Sequence, residues 1–188
     1  MFDKALVILQ SARSLLGDYQ PVDGRERDFR ERMLALLASK TPTSRRQFAP
    51  GHLTASGFVL SPEADAVLLI FHKKLGIWVQ PGGHIEPDDP TLEAAARREV
   101  VEEVGLELAG STDGRLFDVD VHAIPARKDE PAHEHFDVRF CFRALTRAFT
   151  ASDEVVAARW APLAQIEQLT SDESVLRAVR KLAGWSTK

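Results

Sequence analysis

Glu99, Glu102 and Glu103 stand at positions i, i+3 and i+4, a spacing that projects three carboxylates from one face of an α-helix. Near a helix C-terminus the macrodipole disfavours negative charge, and the carboxylates also repel one another, so the arrangement costs stability until a cation is bound. Clustered carboxylate oxygens are hard ligands suited to Mg2+ or Mn2+. An ion held there could neutralise the oxygens of a diphosphate and activate water for in-line attack. The same residues also read as a solvated acidic face, with Arg97 and Arg98 supplying salt bridges.

The flanking residues predict the helix that presents this face. Asp89 is the expected N-cap and Pro90 the first helical position, where a missing N–H costs nothing. Leu92, Ala95 and Ala96 fall on the face that would meet a sheet, and Gly105 sits where a left-handed C-terminal cap is expected. Ahead of the helix, Pro81, Gly82 and Gly83 predict a turn whose missing side chains let the backbone approach a ligand or metal.

Arg98, Glu99, Val100, Glu102, Glu103, Gly105 and Leu106 resemble the second half of the Nudix box, Arg-Glu-U-x-Glu-Glu-x-Gly-U with U apolar, at every specified position. Gly82, Gly83 and His84 resemble its start, so the box spans residues 83–106. The resemblance implies a MutT-like hydrolase in which Glu99 and Glu103 are principal metal ligands, Glu102 a further ligand, and the Gly83 carbonyl an additional donor. Either Glu99 or a glutamate outside the box would be the base. The box departs from the family at its first glutamate, which falls on Pro90, and its loop is one residue longer. That glutamate mainly partners the box arginine, so Arg98 is expected to pair instead with Asp89 or with Glu102. Further along, the stretch ending in Arg159-Trp160 is similar to the family's closing strand and helix. There a glutamate often reaches the metal centre; Glu154 matches it and Asp153 is the alternative.

The rest of the chain must supply a scaffold. Phe2, Leu6, Leu9, Ala12, Leu15 and Leu16, then Phe29, Met33, Leu36 and Leu37, recur at helical spacing on either side of a turn-prone 21–24 stretch. They predict a helical hairpin, followed by a polar connector with two prolines over 41–51. Short β-like runs follow at 52–60, 66–71, 77–80, 116–124, 135–144 and 155–160, and two helical stretches, 163–169 and 174–182, close the chain. Strands with interspersed helices and no regular βαβ repeat indicate an α/β fold. Together with the resemblance they imply an α/β/α sandwich with a mixed sheet. Residues 1–45 would be the hairpin and connector, and 46–188 the hydrolase domain.

The 188 residues suffice for one domain with a small appendage. Apolar and charged fractions of 44% and 28% are ordinary for a soluble globular protein. A net charge of −4 offers no broad attraction to nucleic acid, whereas a small anionic substrate remains open because a metal can supply positive charge. Cys141 is the only cysteine, which excludes an intrachain disulfide and reads as a small buried hydrophobe. With neither a signal-peptide pattern nor a long apolar run, a cytoplasmic location away from membranes is expected.

Other residues carry competing readings. His122, His133, His135 and Asp137 offer zinc-ligand chemistry, with His133 and His135 on one face of a strand, but they lack a further partner at recognisable spacing. Polar residues near the substrate mouth, contacting phosphate or sugar, are the alternative. Phe71, Trp78 and Phe136 could stack on a base or fill the core. Lys73, Lys74, Arg45 and Arg46 are surface or phosphate contacts.

The expected activity is Mg2+-dependent hydrolysis, with Mn2+ as substitute, of a diphosphate linkage in a nucleoside diphosphate joined to a group X. A non-catalytic nucleotide sensor is the alternative. An isopentenyl diphosphate isomerase is a weaker one, since it would need Cys141 as catalyst from inside a strand. The N-terminal hairpin is open to a homodimer contact or a lid.

Overall fold

The computed structural model describes residues 4–73, 76–109, 115–153, 155–170 and 172–185, with side chains from 6 to 182. Its helices are α1 (Lys4–Asp18), α2 (Gly24–Leu36), α3 (Leu92–Val104), α4 (Ile166–Leu169) and α5 (Glu173–Trp185). The strands are β1 (Gly51–Leu60), β2 (Ala66–His72), β3 (Ile77–Val79), β4 (Gly82–His84), β5 (Asp118–Ile124), β6 (His133–Arg143) and β7 (Val155–Pro162). Hydrogen bonding orders five strands β3-β2-β1-β6-β5, with β4 paired to β1 and β7 to β2. This is the expected α/β class, with the helical hairpin at its N-terminal end. No helix among the described residues is long and apolar enough to cross a membrane.

The chain divides into two compact units, the first made of residues 1–56, 83–96 and 114–140. Its two hairpin helices form, and of the predicted periodic residues Ala12, Leu16, Met33, Leu36 and Leu37 are buried; Leu6 is exposed, Ile8 is buried in addition, and Phe2 lies outside the described residues. Asp23 caps α2 through the Glu26 amide, 2.8 Å away, while the buried Glu26 carboxylate accepts from the Val22 amide at 3.0 Å and the Tyr19 hydroxyl at 2.6 Å. This pairing of a cap with a glutamate three residues on satisfies N–H groups that the helix itself leaves unbonded. Arg30 ties the end of α1 to α2 through the Leu16 and Gly17 carbonyls.

Also in this unit, β5 and β6 run antiparallel, with Asp118 opposite Arg139 and His122 opposite His135. Since side chains alternate along a strand, Asp118, Asp120 and His122 share one face of β5. His133, His135, Asp137 and Arg139 share one face of β6, and His52, Thr54 and Ser56 one face of β1. The intervening Leu53, Ala55, Val119, Phe136, Val138 and Phe140 are buried apolar residues. Buried polar groups are nearly always hydrogen-bonded. Arg139, 2% exposed, meets that condition through Asp118 at 3.1 Å, Asp120 at 3.3 Å and Asp137 at 2.8 Å. Thr54 and Ser56 donate to Asp137 at 3.1 and 2.7 Å.

The second unit holds residues 57–82, 97–113 and 141–188. Val67, Leu68, Leu69 and Ile70 of β2 are all buried, the continuous apolar run of a strand covered on both faces. β2 pairs antiparallel with β3 and along its length with β7. Gly57 admits the close approach of α3: a Cβ there would lie 2.7 Å from Val100 Cγ2 and 2.9 Å from the Phe142 ring.

Two local expectations are corrected. Gly82 and Gly83 belong to the short strand β4 and not to a turn; the Pro81 carbonyl just ahead accepts from the Gly57 amide at 3.0 Å, which favours extended backbone. The N-cap of α3 is Thr91, whose hydroxyl accepts from the Ala94 amide at 3.0 Å. Asp89 instead closes its own turn, accepting from the Glu86 amide at 2.7 Å.

Candidate functional site

The helix that carries the glutamates is anchored by an apolar stripe. Leu92, Ala95, Ala96, Val100 and Val104 are all fully buried, at the spacing of one helix face. At its far end Gly105 adopts φ +59°, the left-handed cap expected there, and donates to the Val101 carbonyl at 2.8 Å. The amides of Thr150 and Ser152 donate to the Val104 and Glu103 carbonyls, each at 2.9 Å. Three carbonyls at the C-terminal end of α3 are thereby satisfied by backbone amides, and no basic residue sits in its last turn. No basic side chain of the last turn therefore offsets the macrodipole beside Glu102 and Glu103.

The three carboxylates occupy distinct environments. Glu103 accepts a hydrogen bond from the Gly82 amide at 2.9 Å, which ties the helix end to the glycine pair. Glu99 is largely sheltered, its side chain 16% exposed, whereas that of Glu102 is 58% exposed. One Arg98 nitrogen, Nη1, bridges them, at 3.0 Å from Glu99 and 2.8 Å from Glu102. Of the two partners expected for Arg98, Glu102 is a partner in the structure. Arg97 turns elsewhere: it donates to the Ala109 carbonyl at 2.9 Å and lies over the Phe142 ring, 4.8 Å from its centroid.

The remaining predicted site residues fall as follows. Gly83 is the central residue of β4. Glu154 lies outside the described residues; its neighbour Asp153 is exposed. Cys141 is buried within β6, as its reading as a small hydrophobe requires. Phe71 and Trp78 meet edge to face with centroids 5.5 Å apart, and Phe136 is buried with Arg32 over its ring.

In the first unit, His122, His133 and His135 do come together, but Asp137 is committed to Arg139, Thr54 and Ser56. The residues that complete the group are His52 and His84, whose rings lie 4.9 and 5.4 Å from that of His135. Sequence spacing gave no signal for either, because the adjacency of β1 and β6 is long-range. Burial, reinforced by the neighbouring imidazoles, pushes His135 down to about 2 and His84 down to about 4, and burial also lowers His52.

Sequence and structure comparisons agree on the fold and the family. The profile of the NUDIX domain matches residues 50–182. Among solved structures, a Nudix-family hydrolase from Clostridium perfringens is similar with TM-score 0.52 and 26% identity, over 71% of this chain and 97% of that one. The E. coli dihydroneopterin triphosphate pyrophosphohydrolase shares the fold with TM-score 0.52 and 19% identity, over 69% and 92% of the two chains. A Nudix hydrolase from M. smegmatis does so with TM-score 0.51 and 17% identity, over 72% and 86%. No curated protein matches the chain. With a family profile covering well over half of its length and the box residues on one anchored helix, the chain belongs to the NUDIX domain family and is a Nudix hydrolase.

Proposed function

We propose that the chain hydrolyses the diphosphate linkage of a nucleoside diphosphate joined to a group X, such as an NTP or an NDP-sugar, with Mg2+ as cofactor and Mn2+ as substitute. The observation that carries this reading is the carboxylate face of α3, with Glu103 tied to the Gly82 amide and Arg98 shared between Glu99 and Glu102. The donor set fits a hard divalent ion: side-chain carboxylates with the Gly83 carbonyl in addition, and no thiolate or imidazole among them. When bound, Mg2+ supplies positive charge against the diphosphate oxygens and lowers the pKa of the attacking water.

Each residue of the chain then has a role. Glu99 and Glu103 are the principal ligands and Glu102 a further one; Glu99 or Glu154 takes the proton from water. Arg98 is a positioning residue, since its guanidinium holds Glu99 and Glu102 in register through one nitrogen. The Gly82 amide fixes the rotamer of Glu103, so that less freedom is lost when the cation arrives. The products are a nucleoside monophosphate and phosphorylated X, or pyrophosphate when the substrate is a triphosphate. Residues 46–188 form the hydrolase domain in this reading, and the hairpin of residues 1–45 serves as a dimer contact or a lid. The protein works in the cytoplasm on small molecules and not on nucleic acid.

The test is a substrate screen of NTPs, NDP-sugars, ADP-ribose, NADH, dinucleoside polyphosphates and dihydroneopterin triphosphate, with Mg2+, with Mn2+ and with chelator. Cleavage of at least one class with either ion and none with chelator is expected. No cleavage of any compound with either ion would overturn the proposal.

A further inference from the structure

Five of the six histidines in the chain, His52, His84, His122, His133 and His135, gather in the first unit with ring centroids 4.9 to 5.5 Å apart. His135 is the hub, meeting the other four. Imidazoles this close and this buried repel one another when charged, and in the neutral form each presents one lone pair. The hydrogen bonds decide which nitrogen that is. Nδ1 of His52 faces the Gln47 carbonyl at 3.1 Å and Nδ1 of His133 the Pro131 carbonyl at 2.8 Å. A carbonyl oxygen only accepts, so both Nδ1 atoms carry the proton and both Nε2 atoms hold the lone pair.

His52 is fully buried, and its Nε2 is a buried atom with no hydrogen-bond partner. Buried polar groups are seldom left so, and an unsatisfied one points to an unseen water or ion. One ring nitrogen each from His52, His133 and His135 lies within 4.8 Å of the other two. A tetrahedral ion with Zn–N bonds of about 2.0–2.1 Å sets its ligands roughly 3.3 Å apart, so closure on it asks the nitrogens to draw together by up to about 1.5 Å. The Gln47 and Pro131 carbonyls already supply His52 and His133 with the outer bond that ligating imidazoles commonly make. His135 and His122 are partly exposed, which leaves a way in from solvent.

We propose that His52, His133 and His135 bind one borderline divalent transition ion, represented by Zn2+, through one ring nitrogen each, Nε2 in the case of His52. The site shares no residue with the glutamates of α3, and its chemistry is complementary to theirs. Nitrogen donors select zinc-like ions, while the oxygen donors of α3 suit Mg2+. Ligation would pin the start of β1 to the start of β6 and raise the melting temperature by mass action.

The experiment uses the full chain, stripped of metal, as wild type and as an E99Q/E103Q variant that removes the carboxylate ligands. With MgCl2 in excess to occupy α3, calorimetric titration with ZnCl2 should give one equivalent bound in both proteins, and in E99Q/E103Q a rise in melting temperature that MgCl2 alone does not produce. An H52Q/H133Q variant should lose at least about tenfold in zinc affinity. Should that variant fail to fold, the wild type decides. On zinc addition the 15N resonances of the His52, His133 and His135 imidazoles should shift, and Co2+ should give the visible bands of a low-coordinate nitrogen site. Zinc uptake that is absent in the wild type, that vanishes in E99Q/E103Q, or that leaves those resonances unmoved would overturn the proposal and leave a water as the partner of His52.

Discussion

Replacing Arg139 by methionine removes the guanidinium that bridges Asp118, Asp120 and Asp137 inside the first unit. All four side chains are at most 5% exposed, and the guanidinium reaches the three carboxylates at 3.1, 3.3 and 2.8 Å. Burial alone would depress the arginine; the carboxylates of Asp120, Asp137 and Asp118 outweigh it and raise its proton affinity above the ordinary value, so it stays charged. Methionine conserves much of the volume and none of the charge, while Thr54 and Ser56 still donate to Asp137. Breaking a buried ion network from one side costs about 3–5 kcal/mol. For a chain of this length each kcal/mol moves the melting temperature by about 2–4 °C, so the variant should melt roughly 6–20 °C lower. The deficit should shrink in acid, where the orphaned carboxylates take up protons. Arg139→Lys should fall in between, because an ammonium cannot span three acids in a fork. Differential scanning calorimetry across pH is the assay. A melting point within about 2 °C of wild type, unchanged by pH, would refute the claim that this network is a closed electrostatic unit.

Three further perturbations follow from the packing and the titrations. Gly57→Ala places a Cβ 2.7 Å from Val100 Cγ2, and overpacking of this kind costs about 1–3 kcal/mol in a denaturant titration; wild-type stability would contradict the contact. Gly105→Ala forces a side chain to φ +59°, at about 1–2 kcal/mol by the same measurement, and a neutral effect would argue against the cap. His84 and His135 are held at about 4 and about 2 against an unfolded value of 6.5. In acid, therefore, the unfolded chain takes up protons that the folded chain refuses. Their contribution is complete above about pH 6.5 and is lost as pH falls from there toward 4 for His84 and toward 2 for His135. A urea midpoint that stays level below pH 6.5 in the metal-free protein would contradict it.

What the sequence makes legible depends on how local the cause is. The α3 face, its apolar stripe and the Gly105 cap rest on spacings within a dozen or so residues, and the structure reproduces them. The N-cap slipped from Asp89 to Thr91 because two capping residues stand close together and only the Glu86 turn decides which is free to cap. Residues 82–83 read as a turn because two glycines after a proline carry turn propensity, and only the pairing of β4 with β1 makes them extended. The pair His133-x-His135 was visible as a strand face, but His52 and His84 join it through strand adjacency that no local spacing encodes. Arg139 in a strand looks like an ordinary surface charge until its register opposite Asp118 is known.

The central claim is that the carboxylates of α3 perform the hydrolysis, and a Glu103→Gln substitution addresses it most directly. Glutamine keeps the length of the side chain and can still accept from the Gly82 amide, so folding should survive while the charge is lost. On whichever substrate the screen identifies, with saturating Mg2+, turnover should fall well beyond the ~10–100-fold typical of an outer-shell partner, with the melting temperature unchanged. A variant that folds and turns over at close to the wild-type rate would contradict the account.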